Sequence, residues 1–243
     1  MWYLILITAT LAWCNREIQH HHSHHLPASH RYDDSWELER NDDGIALYSR
    51  ESSGRDYREY KGVTRFTASP ADVMKLLGDV RSYPSWLYTC REAKLLKHAG
   101  PGEDYLYFVY DVPVYSNRDA VMHSCTVRRT DGSGATMKFS RVDRPRTGVL
   151  FRDAGLKRDD GNEYVKELSV MWSLVRVGRE VEVTYSIYLD PDIGFPGSLR
   201  VNATTEGLVF ESLKKMRTML ANPAYRNAPA STIDELPVKA SCF

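Results

Sequence analysis

Apolar and polar positions alternate with a period of two along most of the chain and with a helical period in two places. Leu168, Val170, Trp172 and Leu174 alternate with Glu167, Ser169, Met171 and Ser173. Val181, Val183, Tyr185, Ile187 and Leu189 alternate in the same way with Glu180, Glu182, Thr184, Ser186 and Tyr188. This pattern predicts strands with one buried face and one wet face. Strands are expected at 90–97, 105–112, 118–129, 135–142, 164–177 and 180–190. Turn chemistry separates them at Gly100-Pro101-Gly102, Ser116-Asn117, Asp131-Gly132-Ser133-Gly134, Asp159-Asp160-Gly161-Asn162 and Gly178. Short loops between successive strands predict an antiparallel meander. The irregular stretch 145–156 reads as a loop or a seventh strand. Upstream, the turn signal Asp42-Asp43-Gly44 precedes the run 45–50 and the stretch 57–67, so two strands open the domain.

Two segments change period. Ser69 reads as an N-cap, Pro70 as the first helical residue and Asp72 as the acid at the third position, while Val73, Leu76, Leu77 and Val80 recur at helical spacing. That short helix should stop before Tyr83-Pro84, because a residue preceding proline avoids the helical region. Val209, Leu213, Met216 and Leu220 form an apolar stripe opposite Glu211, Lys214, Lys215 and Arg217. The helix they predict begins between 196 and 207 and ends at Asn222-Pro223. Attached by that single stripe and preceded by the glycine-containing run 192–197, it reads as a lid. Residues 223–243 have no period and read as a flexible tail.

Composition narrows the classes. The 243 residues are 42% hydrophobic, enough for one sizeable core. Lys plus Arg and Asp plus Glu number 32 each, with no block of five like charges, which argues against nucleic-acid binding and a polybasic membrane anchor. The apolar run 2–13 is well short of the roughly 20 residues of a spanning helix. With Thr10-Leu11-Ala12 as a cleavage site it reads as a signal peptide over 1–13, and export as the destination, the periplasm in a bacterium. Lipid anchoring through Cys14, or a cytoplasmic chain, are the alternatives. Residues 14–35 hold a histidine run followed by Asp33 and Asp34; lacking periodicity, they read as a disordered linker rather than a metal site. Cys14, Cys90, Cys125 and Cys242 lack zinc-site spacing. Cys90 and Cys125 should lie two strands, about 9.6 Å, apart. That is beyond the bridging limit of about 7 Å between Cα atoms.

Four landmarks then occur in order: Trp36-Glu37-Leu38 with 43–50 (DGIALYSR), 79–86 (DVRSYPSW), 113–119 (PVYSNRD) and the strand around Trp172. In this order they resemble START domains, the lipid-transfer domains related to steroidogenic acute regulatory protein, from about Trp36 to Leu220. The resemblance implies an α+β helix-grip fold over 36–222, a curved antiparallel sheet wrapped around a long C-terminal helix with an apolar cavity between them. It implies one lipid or other apolar ligand, no cofactor and usually no chemistry, so no catalytic residue is expected. No metal site is expected either; transient membrane contact and a monomeric state are. Where some sterol-binding members carry an internal arginine, this chain has Ser124, so ligand identity does not carry over.

The inward positions are the cavity candidates: Trp86, Leu106, Phe108, Tyr110, Met122, Ser124, Met137, Phe139, Leu168, Val170, Trp172, Leu174, Val183, Tyr185, Ile187, Val209, Leu213 and Met216. Aromatic residues offer large apolar walls and, in tyrosine, a hydroxyl. Arg118 and Asp119 are expected to make an internal polar contact or a structural pair. His98 and His123 show no carboxylate partner in the sequence. A helix-grip cyclase or hydrolase is the alternative, as is a ligand sensor. An enzyme would need an acid or base inside the cavity, yet Glu167, Glu180 and Glu182 alternate onto the wet face. No GxSxG, HExxH or glycine-rich phosphate loop is present.

Overall fold

Alternation along the chain produces ten strands, described in a computed structural model over residues 36–51, 54–112, 115–193 and 197–238. They are β1 Glu37–Asp42, β2 Ile45–Arg50, β3 Glu59–Phe66, β4 Cys90–Gly100, β5 Glu103–Tyr110, β6 Arg118–Arg128, β7 Gly134–Arg141, β8 Glu163–Tyr164, β9 Glu167–Val177 and β10 Glu180–Asp190. The helices are α1 Pro70–Gly78, α2 Tyr83–Trp86, α3 Arg144–Asp153, α4 Gly197–Ala221 and α5 Ser231–Asp234. Nine strands form one antiparallel curved sheet in the order β1-β2-β3-β10-β9-β7-β6-β5-β4, and β8 pairs parallel to β6. Because β10 pairs with both β9 and β3, the meander closes back onto the opening strands. The long C-terminal helix α4 lies against the inner face of this sheet.

Local chemistry fixes the elements that support the cavity. Ser69 Oγ accepts from Asp72 N at 3.1 Å and Asp72 Oδ2 accepts from Ser69 N at 2.9 Å, a capping box that starts α1. Gly62 on β3 lets α4 approach: a Cβ there would sit 2.5 Å from Leu213 Cδ1 and 2.7 Å from Val209 Cγ1.

Several expectations need correction. Three strands open the domain, not two; β1 is exposed throughout and so carries no alternation. The stretch 145–156 is mostly the helix α3, which buries Thr147, Leu150 and Phe151. Leu150 and Phe151 form a second apolar cluster with Leu96, Tyr107, Val109 and Val121, so the outer face of β5 and β6 is covered rather than wet. Glu182 on β10 is also buried, paired with Arg65 at 3.0 Å. Tyr188 is buried with Tyr57, Ile193 and Val201.

The tail is anchored to the domain as far as Pro237. Tyr225 and Ile233 are buried, Tyr225 donates to Asp79 at 2.7 Å, and Pro237 O accepts from Arg128 N at 2.8 Å. The attachment of α4 exceeds one stripe, since Leu208, Phe210 and Ser212 are buried beside Val209, Leu213, Met216 and Leu220. Cys90 is a free buried thiol and Cys125 is disulfide-bonded, so the two are not joined to each other. The expected signal peptide and histidine-rich linker lie outside the described residues, as do 194–196 of the expected hinge.

Candidate ligand-binding site

The alternating faces of β5, β6, β7, β9 and β10 converge with α2 and α4 on one core. Trp86, Leu106, Phe108, Tyr110, Met122, Met137, Phe139, Leu168, Val170, Trp172, Leu174, Val183, Tyr185, Ile187, Val209, Leu213 and Met216 all belong to it or pack against it. Ser124 lies on the same face of β6 as Met122; it is fully buried and its Oγ has no hydrogen-bond partner. The sequence thus placed these residues together.

Aromatic rings fill much of the interior. Trp172 and Tyr185, opposite each other in the register of β9 and β10, stack at 3.9 Å with planes 2° apart. Trp86 meets Trp172 edge-on at 6.0 Å, and Tyr83 meets Phe108 edge-on at 5.5 Å. Between these rings remains an inner cavity of about 20 Å³ lined by Tyr83, Leu87, Phe108, Tyr110, Met122, Phe139, Val170, Trp172 and Tyr185. None of those side chains is charged. Burial pushes the phenols of Tyr110 and Tyr185 well above their ordinary range, so both stay protonated.

A larger cavity, about 240 Å³, opens beneath the first turns of α4. Its walls are Val112, Tyr115, Leu189, Pro191, Arg200, Val201, Ala203, Thr204 and Thr205. Arg200 is the one charged group among these and is exposed. Most of these residues were missed, because they sit at the ends of elements where no period runs. Tyr115, 40% exposed, belongs to this wall, and Leu199, 71% exposed, directly precedes the wall residue Arg200 on α4.

Polar candidates elsewhere prove structural. Arg118 and Asp119 do not pair with each other. Arg118 donates to Pro191 O and Ser116 O, both at 2.7 Å, and meets Glu163 at 3.0 Å. Asp119 accepts from the Tyr107 hydroxyl at 2.9 Å and from Arg158 Nη2 at 2.8 Å, an ion pair that holds the segment before β8 against the outer face of the sheet. The histidines do have carboxylate partners: His98 Nδ1 lies 2.5 Å from Asp104 and His123 Nε2 lies 3.4 Å from Glu103. Strand pairing makes both contacts: His98 is opposite Asp104 in the β4–β5 hairpin, and the β5–β6 register brings Glu103 near His123. No cluster of three His, Cys, Asp or Glu suited to a metal occurs among the described residues.

A large curved sheet gripping a C-terminal helix, with apolar cavities between them, is the arrangement of lipid-transfer domains. A STAR-related lipid transfer protein fragment from Xanthomonas axonopodis superposes with a TM-score of 0.67 at 29% identity, covering 78% of this chain and 100% of that one. The fold is START-like. Human StAR-related lipid transfer protein 5 shares the START-like fold at a TM-score of 0.65, with 12% identity over 79% of this chain and 88% of its own. In sequence, an uncharacterised protein of Pseudomonas aeruginosa is 28% identical over 187 residues, 76% of this chain and 86% of the relative. No protein-family model matches the chain.

Proposed function

We propose that this START-like protein holds one lipid or other apolar molecule between α4 and the sheet and acts as a carrier. The observation that carries the reading is the mostly apolar cavity of about 240 Å³ beneath the N-terminal half of α4, where Leu189 packs against the core. An apolar ligand exchanges water contact for protein contact there at little desolvation cost. Exposed Tyr115 on the cavity wall and exposed Leu199 next to Arg200 support transient contact with a membrane during loading. No catalytic group is part of the proposal. Export belongs to it, supported by the disulfide bond at Cys125, since such bonds persist in oxidising compartments.

Native mass spectrometry of the purified chain should find one co-purified apolar molecule per protein. Ala203→Trp tests the site itself: Ala203 is exposed on the cavity wall, so the indole can fill the opening without disturbing the core. Ligand uptake should fall several-fold with the melting temperature unchanged. Uptake equal to that of the parent protein would move the site away from this cavity.

A further inference from the structure

Several buried tyrosine hydroxyls in this fold are committed. Tyr57 donates to Ile193 O, Tyr83 to Leu77 O at 2.8 Å, Tyr107 to Asp119 at 2.9 Å and Tyr225 to Asp79 at 2.7 Å. The hydroxyls of Tyr110 and Tyr185 have no hydrogen-bond partner among the described residues. Yet these residues are only 8% and 2% exposed, and both line the inner cavity. A buried donor left unmet is costly, and one such group in a native structure requires an explanation. Two in one cavity point to an acceptor that belongs there.

The surroundings define that acceptor. The space between the rings, about 20 Å³, is roughly what one water needs. No charged side chain lines it. A carboxylate or phosphate would enter without a counter-charge and lose its hydration. A pure hydrocarbon would leave both hydroxyls unmet. A neutral oxygen on an apolar body satisfies both demands, since it accepts from the phenols within the space of one water and meets a wall that carries no charge. Met122 in the same wall can change rotamer to admit it.

We propose that Tyr110 and Tyr185 are the polar end of the ligand site and select a neutral lipid bearing a carbonyl or hydroxyl oxygen, which replaces a single water between them. This rests on the carrier reading above and narrows its ligand class.

The test uses the full chain and three probes with one sixteen-carbon chain, hexadecanol, hexadecane and palmitate, competing against the neutral fluorophore N-phenyl-1-naphthylamine. Hexadecanol should displace the fluorophore at concentrations roughly tenfold below those of hexadecane and palmitate. Tyr110→Phe and Tyr185→Phe should each remove most of that advantage over hexadecane. Thermal melting of the ligand-free variants gives a second readout: removing a hydroxyl that has no protein partner should leave stability unchanged or raise it. Palmitate binding best, a ranking that survives both substitutions, or ligand-free variants that melt at clearly lower temperature would each overturn the inference while leaving the carrier reading intact. Failure of the fluorophore to bind, or of all three probes to displace it, would overturn the carrier reading and this inference with it.

Discussion

Asp72 illustrates how one side chain serves two levels of structure. Its carboxylate closes the capping box of α1 and also accepts from Ala228 N at 2.8 Å, so it ties the C-terminal segment to the first helix. Burial pushes its pKa up, but the hydrogen bonds from Ser69 and Ala228 outweigh that and hold it below the ordinary value. A depressed carboxylate contributes stability that is present above its unfolded value, about 3.9, and lost as pH falls through the folded one. Asp72→Asn should therefore cost about 1 kcal/mol at pH 7 in urea unfolding. The gap between variant and parent should close as pH drops below 4, and a gap independent of pH would show that geometry rather than charge is responsible. The capping box was legible from Ser69, Pro70 and Asp72. The bond to Ala228, 156 residues away, was not, because no local pattern records it.

At the scale of elements, legibility follows how much one-sided burial each segment has. β9, β10, α1 and α4 each present an apolar face to the core, and their periods gave them away. β1 buries nothing, and α3 has only three buried positions around a proline in its first turn. The segment 223–238 is anchored by isolated residues, Tyr225 and Ile233 among them, which produce no period. That the inward candidates share one core was readable for the same reason as β9 and β10, whereas the larger cavity lies where β10, α4 and the segment after β5 meet. That junction divides α4 into unequal halves. Leu208, Val209, Phe210, Leu213 and Met216 are buried, and Ser212 Oγ accepts from Tyr88 N at 2.9 Å. Leu199, Arg200 and Ala203 are exposed, the last two on the cavity wall. Local opening favours segments with few buried contacts. Amide hydrogen exchange should be faster at 199–205 than at 208–220, and ligand should slow the first segment selectively. Equal protection along α4 in the ligand-free protein would refute a lid confined to its N-terminal half.

For the molecule as a whole, the proposed export can be tested through the cysteines. Cys125 is disulfide-bonded while Cys90 stays free, buried at the start of β4, with burial pushing its thiol up to about 12. A thiol that remains protonated and enclosed reacts slowly with alkylating reagents, and a disulfide does not react at all until reduced. A cytosolic glutathione pool would keep Cys125 reduced, whereas an exported chain would keep it oxidised. Protein taken from its native host should thus show neither cysteine labelled by iodoacetamide in the folded state. Of these two, denaturation without reductant should expose Cys90 only, and Cys125 should label only after reduction, as read by peptide mass mapping. Labelling of Cys125 in the denatured, unreduced protein would place folding in a reducing compartment and remove the structural support for export. It would leave the cavities and Tyr110 and Tyr185 untouched, because Cys125 is on the face of β6 opposite to Met122 and lines neither cavity.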